Sequence, residues 1–199
     1  GPDKLMFTSL KAPDPEVDGK TLVDLMKSRN CELIDAALEI ERRSAAGGGI
    51  GAVGFTMDED NLRRVLQHPL VMVGTDAHLE IFDKFATHPR NYGTYPRVLG
   101  RYVREEGILE LPEAIRKMTS MPAERFRIPD RGWLRSGAFA DIVIFDPRAV
   151  TDNATFINAH QHPTGMPYVI VNGKVAVDKG KTADGHYGRA LRRNNPGVE

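Results

Sequence analysis

The sequence predicts an α/β fold that is followed by a smaller, strand-rich region. Up to about Ile128, short apolar runs alternate with stretches that have helical spacing. Beyond that point the sequence consists of short apolar runs and turn residues, without a convincing helix. A chain of 199 residues is long enough for one ordinary domain and a small second one. We therefore predict two domains, residues 1–127 and residues 128–199.

Two helices are predicted first, at residues 21–28 and 32–43. The second carries apolar side chains at the i, i+3, i+4 and i+7 positions of one helix face. These side chains are Leu33, Ala36, Ala37 and Ile40. The run at residues 44–49 is rich in glycine, so we expect a loop there.

The next elements predict a βαβ unit with parallel strands. A short apolar strand at residues 51–56 is followed by Asp58, which we expect to cap a helix. The inward-facing side chains of that helix are predicted to be Leu62, Val65 and Leu66. A second strand at residues 71–74 then leads directly to Asp76. Strand, helix and strand at this spacing normally give two parallel strands of one sheet.

Two further helices and a β-hairpin complete the expected fold. The first helix has an inward face made of Val98, Leu99, Tyr102 and Val103. The second has Pro112 in its first turn, where a missing N–H is tolerated. Apolar strands follow at residues 140–146, 168–171 and 174–177, and Asn172-Gly173 predicts a tight turn between the last two. These strands are too few to bury a core by themselves.

The composition excludes several classes of protein. Lysine plus arginine and aspartate plus glutamate both total 27, so no net charge attracts nucleic acid or an anionic membrane. The single cysteine, Cys31, excludes an internal disulfide framework. No apolar run approaches the ~20 residues that span a bilayer, and no secretory segment is visible. We expect a cytoplasmic protein, and the Gly1-Pro2 start indicates a trimmed or internal piece of a chain.

Asp76 is the best candidate for a catalytic residue. It follows the second predicted strand, and catalytic groups gather at the C-terminal ends of parallel strands because the loops there converge on one pocket. A carboxylate at that place can bind a hard cation or move a proton. The alternative is an aspartate that caps a helix or faces solvent, and its position alone leaves both interpretations open.

Arginine and histidine side chains provide further candidates. Arg90 and Arg97 lie in a mixed aromatic and basic loop, where a planar guanidinium could bind a substrate carboxylate or simply be a surface cation. The motif His160-Gln161-His162 has the spacing of a metal-chelating pair on a strand. It lies in a polar stretch without a strand pattern, so we do not expect it to bind metal.

Several motifs together resemble the amidohydrolase superfamily and, within it, the D-aminoacylase (N-acyl-D-amino-acid deacylase) family. The general part is the run at residues 132–146, with Val171-Asn172-Gly173 after it. The specific part is Gly51-Ala52-Val53-Gly54-Phe55-Thr56-Met57-Asp58-Glu59 and Val73-Gly74-Thr75-Asp76, which resemble the seventh and eighth barrel strands. Residues 88–104 and 154–156 are also similar to that family. The match extends from about Pro13 to Arg193.

The resemblance implies a fold and a division of the chain. Residues 1–127 would be the C-terminal segment of a (β/α)8 metal-dependent hydrolase barrel, with strands seven and eight and the helices after them. Residues 128–199 would be the C-terminal part of a composite β-sandwich domain. The family's other metal ligands would lie before residue 1, so we expect the chain to be inactive alone and to need the missing N-terminal half of the enzyme.

The resemblance also implies the chemistry, which is metal-dependent hydrolysis of the amide bond of N-acyl-D-amino acids. Asp76 would contact the catalytic metal, take a proton from the metal-bound water and return it to the leaving amine. The implied cofactor is Zn²⁺, one ion or two, which lowers the pKa of bound water to ~7. Arg90 would pair with the substrate α-carboxylate, and Met57 would line the pocket with a flexible thioether.

Two departures from the family and two alternatives remain. The family usually has Ser-Asp-Gly where this chain has Thr75-Asp76-Ala77, and a slightly longer loop separates Asp76 from Arg90. One alternative is a cyclic-amide hydrolase of the hydantoinase or dihydroorotase kind, which Arg90 disfavours because a free carboxylate has to be held. The other is a non-catalytic half that needs a partner carrying the family's His-x-His motif.

Overall fold

The computed structural model of the chain describes residues 1–10, 14–79, 81–83 and 87–191. The chain divides into two compact units, each built from separate stretches of sequence. The first unit comprises Gly1–Asn61, Asp76–Tyr92 and Ala154–Gln161, and the second comprises Leu62–Thr75, Gly93–Asn153 and His162–Glu199. The division into domains at residues 127 and 128 stays a prediction.

The first unit is built on a two-stranded antiparallel sheet and two helices. Strand β1 (Leu5–Ser9) pairs with β2 (Ile50–Gly54). Helices α1 (Leu22–Arg29) and α2 (Leu33–Arg43) lie between them in the sequence and confirm the first two predicted helices. The buried core of the unit consists of Phe7, Val17, Leu22, Leu25, Ala36 and Ile40.

The expected loop at residues 44–49 was wrong for most of its length. Ser44–Gly48 forms a π-helix that continues directly from α2. Ala45 and Ala46 are strong helix formers, so the glycines after them do not stop the helix at once. The turn ends only at Gly49, whose φ of 62° is readily adopted by a residue without a Cβ.

Helix α3 (Glu59–Gln67) begins as predicted. Its cap is Asp58, whose Oδ1 accepts the backbone N–H of Asn61 at 2.9 Å. Leu66 is buried as predicted, but Val65 is 50% exposed, so the prediction that Val65 faces the core was wrong. Leu62 and Leu66 lie four residues apart on one row of the helix, and only this row packs into the core.

Residues 71–74 do not form the predicted strand. Their backbone groups bind the end of helix α5 (Leu111–Met118) instead: Val73 N–H donates to the backbone oxygen of Lys117 at 3.2 Å, and the Lys117 ammonium donates to the Val71 oxygen at 2.9 Å. A strand requires a neighbouring strand, and the described part of the chain supplies none at this segment. The predicted parallel βαβ unit was therefore wrong for these residues.

The second unit combines helices with a four-stranded antiparallel sheet. Helix α4 (Arg90–Arg97), whose first three residues belong to the first unit, continues as a π-helix (Val98–Glu105), and α6 (Ser120–Arg125) follows α5. The sheet order is β3 (Ile142–Ile144), β4 (Tyr168–Val171), β5 (Lys174–Asp178) and β6 (Lys181–Thr182). The helical core consists of Leu66, Val98, Tyr102, Leu109 and Ala114.

The predicted hairpin between β4 and β5 is confirmed. Asn172 and Gly173 have φ values of 49° and 79°, the left-handed pair that a type I′ turn requires. Among the described residues after Ile128 there is no helix, as the sequence predicted. No helix in the described ranges has the length and apolar character needed to cross a membrane.

Candidate active site

Asp76 lies in the first unit, in the segment that leads from α3 to α4. Its backbone φ is 48°, in the left-handed region that aspartate tolerates better than most residues because its short side chain can hydrogen-bond locally. The side chain is 80% exposed. The carboxylate therefore remains accessible to water or to a ligand.

The Arg90 side chain binds both the carboxylate and the backbone oxygen of Asp76. The Nη2 atom of Arg90 lies 2.9 Å from Oδ2 of Asp76, and the Nε–H donates to the Asp76 backbone oxygen at 2.8 Å. The next residue, Asn91, accepts the backbone N–H of His78 on Oδ1 at 3.1 Å. Two consecutive residues in the first turn of α4 thus bind three groups in residues 76–78. The structure brings together two of the three predicted site residues.

Met57, the third predicted site residue, lies in the segment between β2 and α3. Its side chain is 83% exposed, so the structure places it at the surface of the first unit. The neighbouring Phe55 has a packing role, because its ring meets the ring of Phe156 edge to face at a centroid distance of 4.9 Å. The segment is therefore held at Phe55 and presents Met57 to solvent.

His88 connects this aromatic pair to Arg90. Its ring meets that of Phe156 edge to face at 5.1 Å, and its Nδ1 accepts the backbone N–H of Arg90 at 3.1 Å. A backbone N–H can only donate, so Nδ1 carries no proton in this arrangement. Burial lowers the pKa of His88, the Arg90 charge lowers it further, and Asp76 acts in the opposite direction. The imidazole is therefore neutral near pH 7, with its proton on Nε2.

A second cluster in the first unit surrounds His160. Its Nδ1 accepts the backbone N–H of Asp83 at 3.1 Å and lies 2.8 Å from the Tyr92 hydroxyl. The ring of Phe82 packs edge to face on both His160 and Tyr92. His162 belongs to the second unit, where its backbone oxygen accepts a hydrogen bond from Asn153.

Asp76 can serve as one ligand of a metal ion, but the described residues do not complete a metal site around it. Across the four described ranges, no group of three or more His, Cys, Asp or Glu side chains is arranged to hold a metal. Zinc in proteins takes three or four protein ligands. The described residues therefore fit one ligand of a metal site and do not make a whole site.

Sequence reasoning missed the roles of His88 and Phe156. Both lie within segments that resemble a known family, but neither was singled out. The local sequence gives little signal for His88, because the side chains that usually accept an N–H at the start of a helix are those of Asn, Asp, Ser and Thr. The Phe156 contact joins distant parts of the sequence, and no local pattern indicates it.

The arrangement combines two chemical capacities in the first unit. The exposed Asp76 carboxylate can accept and return a proton. The Arg90 guanidinium is a planar group with five N–H donors, and it contacts both the carboxylate and the backbone oxygen of Asp76. A guanidinium in this position can bind an anion such as a carboxylate. The site is therefore suited to proton transfer beside a bound anionic group.

The sequence pattern of the amidohydrolase family matches residues 32–177. The chain is 40% identical over 182 residues to the N-acyl-D-glutamate deacylase of Alcaligenes xylosoxydans xylosoxydans. This alignment covers 92% of the chain and 35% of that relative. The chain therefore spans about a third of the length of the curated relatives it matches.

Solved structures of D-aminoacylase and of an N-acyl-D-glutamate deacylase also resemble this chain. A crystal structure of D-aminoacylase, described as defining a novel subset of amidohydrolases, superposes on this chain with a TM-score of 0.78 at 34% sequence identity. The superposed region covers 95% of this chain and 38% of the D-aminoacylase chain. The N-acyl-D-glutamate deacylase of Bordetella bronchiseptica, solved with zinc and a phosphonate mimic of the tetrahedral intermediate, superposes with a TM-score of 0.76 at 39% identity. That alignment covers 96% of this chain and 38% of the relative.

Proposed function

Because this chain belongs to the amidohydrolase family, we propose that the protein hydrolyses the linear amide bond of N-acyl-D-amino acids, releasing a D-amino acid and a carboxylate. The observation that carries the proposal is the contact of Arg90 with Asp76, which places an anion-binding cation beside an accessible carboxylate. The relatives named as N-acyl-D-glutamate deacylase and D-aminoacylase support the substrate class.

Asp76 is the proposed catalytic residue. In hydrolysis, the oxygen of water attacks the carbonyl carbon, one water proton passes to the Asp76 carboxylate, and the carbon–nitrogen bond breaks. Asp76 then returns the proton to the leaving nitrogen, so a single group serves as base and acid in turn. Its exposure supports this role, because a solvent-accessible carboxylate can reach both water and substrate.

Arg90 and Met57 are the proposed substrate-binding residues. The guanidinium of Arg90 would bind the free α-carboxylate of the substrate, a group that every N-acyl amino acid carries. The exposed thioether of Met57 would contact the amino-acid side chain, since an unbranched, polarisable group adapts to different shapes.

Zn²⁺, one ion or two, is the proposed cofactor. Asp76 would contribute one ligand, and the remaining ligands would come from other parts of the enzyme, since the described residues provide no further cluster. The zinc complex of the Bordetella relative supports this choice of metal. We propose that the missing N-terminal half of the same enzyme is the partner that completes the site.

The same resemblance supports a finer description of the fold. Residues 1–127 are proposed to be the last part of a (β/α)8 barrel, and residues 128–199 part of a composite β-sandwich. The four-stranded antiparallel sheet at β3 to β6 supports the second assignment. A cytoplasmic location is proposed together with this assignment.

The test is a substrate panel offered to the complete, zinc-supplied protein. N-acetyl-D-amino acids, their L enantiomers, their α-carboxamides and hydantoins would be compared by release of free amine or ring-opened product. We expect the N-acetyl-D-amino acids to be hydrolysed fastest. Activity confined to the hydantoins would overturn the proposal in favour of a cyclic-amide hydrolase. No hydrolysis of any substrate would favour a non-catalytic role.

A further inference from the structure

His88 has no part in the proposed chemistry, yet it makes three contacts near the first turn of α4, through Nδ1, its backbone oxygen and its ring. Its Nδ1 accepts the N–H of Arg90, and its backbone oxygen accepts the N–H of Asn91 at 3.0 Å. Its ring also packs on Phe156, which in turn packs on Phe55. His88 is thus tied both to the start of the helix and to the aromatic pair.

We infer that His88 is a positioning residue, whose Nδ1 and ring hold the first turn of α4 so that the Arg90 guanidinium reaches Asp76 and a substrate carboxylate. The inference rests on the proposed function for its substrate part. The residues that depend on this turn are adjacent in the sequence: Arg90 binds Asp76, and Asn91 binds His78.

The physical need for such a residue comes from the start of the helix. The first N–H groups of a helix have no carbonyl one turn earlier to accept them. Asparagine, aspartate and serine usually fill this role with a side-chain oxygen. Histidine performs it here with a ring nitrogen and adds a ring that packs edge to face with Phe156. The two functions of the ring can therefore be separated by substitution.

Two amide variants make a matched pair. In His88→Asn the side-chain oxygen lies close to the place of Nδ1 and can accept the Arg90 N–H. In His88→Gln the oxygen is one bond further from the backbone and does not occupy that place. Both variants lose the contact with Phe156 and both stay polar and neutral. Any difference between them therefore reports the hydrogen bond to Arg90.

The experiment uses the complete, zinc-supplied protein and two readouts. The first is the ratio of kcat/KM for an N-acetyl-D-amino acid to that for its α-carboxamide, which reports the use of Arg90. We expect His88→Gln to lower this ratio roughly tenfold through KM and His88→Asn to keep it near the wild-type value. The second is amide hydrogen exchange in the peptide of residues 87–92, which should quicken in His88→Gln only.

The control is His186→Ala, an exposed histidine outside the candidate site, which should leave both readouts unchanged. A merely structural role of His88 would lower activity on both substrates equally, and that result overturns the inference. Equal behaviour of the Asn and Gln variants also overturns it.

If the wild-type protein cleaves no N-acyl-D-amino acid, the proposed function fails. Amide exchange still tests the positioning role of His88 in that case. Faster exchange in His88→Gln than in His88→Asn supports the hydrogen bond to Arg90, and equal exchange overturns the inference.

Discussion

Arg90 binds Asp76 twice, with Nη2 2.9 Å from the carboxylate oxygen Oδ2 and Nε 2.8 Å from the backbone oxygen. One planar side chain thereby fixes both the main chain and the carboxylate of a residue whose φ is 48°. The two charged residues of the candidate site are coupled, so a change in either should be visible in the function of the other.

Replacement of Arg90 by lysine should weaken substrate binding. Lysine keeps the charge but loses the planar fork that can bind a carboxylate with two parallel hydrogen bonds. Hydrogen bonds to charged groups contribute about 1.5–3 kcal/mol, so KM for N-acetyl-D-amino acids should rise about 10- to 100-fold. Steady-state kinetics would measure this, with Arg42→Lys on the exposed side of α2 as the control. Equal losses on the acid and on its α-carboxamide would contradict the assignment.

Replacement of Asp76 by asparagine should abolish most turnover and leave binding largely intact. Asparagine retains an oxygen that can accept from Arg90 and also tolerates a positive φ, so the backbone is preserved. General acid–base groups contribute about 10²- to 10⁴-fold, and kcat should fall by such a factor. The matched control is Asp178→Asn at an exposed position of β5. A kcat close to the wild-type value would remove Asp76 from the mechanism.

Glu106 should make the second unit sensitive to acid. Hydrogen bonds from Arg63 and Arg101 lower its pKa from 4.5 to about 2. A lowered pKa in the folded state means that the carboxylate stabilises the fold above about pH 4.5 and that this contribution is lost as the pH falls towards about 2.

The variant Glu106→Gln tests this dependence. Its Tm should lie below that of the wild-type protein at about pH 7, and the difference should shrink between pH 4.5 and about pH 2. Glu105→Gln is the neighbouring control, because Glu105 is more exposed and pairs with Arg104 alone among the ion pairs described. A Tm difference that stays constant over this pH range would show that the ion pairs of Glu106 do not stabilise the fold.

Lys117 should be important for stability although it is charged. Its side chain is fully buried, and its ammonium donates to the backbone oxygens of His68 at 2.5 Å and Val71 at 2.9 Å. Lys117→Met keeps an unbranched side chain that ends where Cε of the lysine lies, and it removes the donor from both oxygens. The His68 oxygen still accepts the Val71 N–H, so we expect a loss of about 1–3 kcal/mol, chiefly from the Val71 oxygen. The free energy of unfolding in urea would measure the loss, with exposed Lys174→Met as the control. An unchanged urea midpoint would mean that water replaces the ammonium.

The features that were predictable from sequence depend on residues close together in the chain. Asp58 caps α3 through an N–H three residues away, and the type I′ turn at Asn172 and Gly173 depends on those two residues alone. Asp76 and Arg90 could be singled out because the motifs around them resemble a family. Neither the position of Asp76 nor the composition of the loop indicated that the two side chains bind each other.

The features that were not predictable depend on distant partners. The apolar run at residues 71–74 has the composition of a strand, but its backbone hydrogen bonds go to Lys117 and His68 rather than to another strand. Val65 fits the helical period and is nevertheless half exposed, because the neighbouring elements decide how wide the buried face is. The contact of His88 with Phe156 likewise requires the three-dimensional structure.

The sequence separation between Tyr92 and His160 also affects synthesis. The Tyr92 hydroxyl meets a histidine ring 68 residues further along the chain, and the backbone of Asp83 meets the same ring across 77 residues. A ribosome adds about 5–20 residues per second, so roughly 3–14 s pass after Tyr92 is made before His160 follows. During that interval Phe82 and Tyr92 lack the imidazole that they pack against. Until His160 has been added, these two rings are therefore open to other hydrophobic contacts.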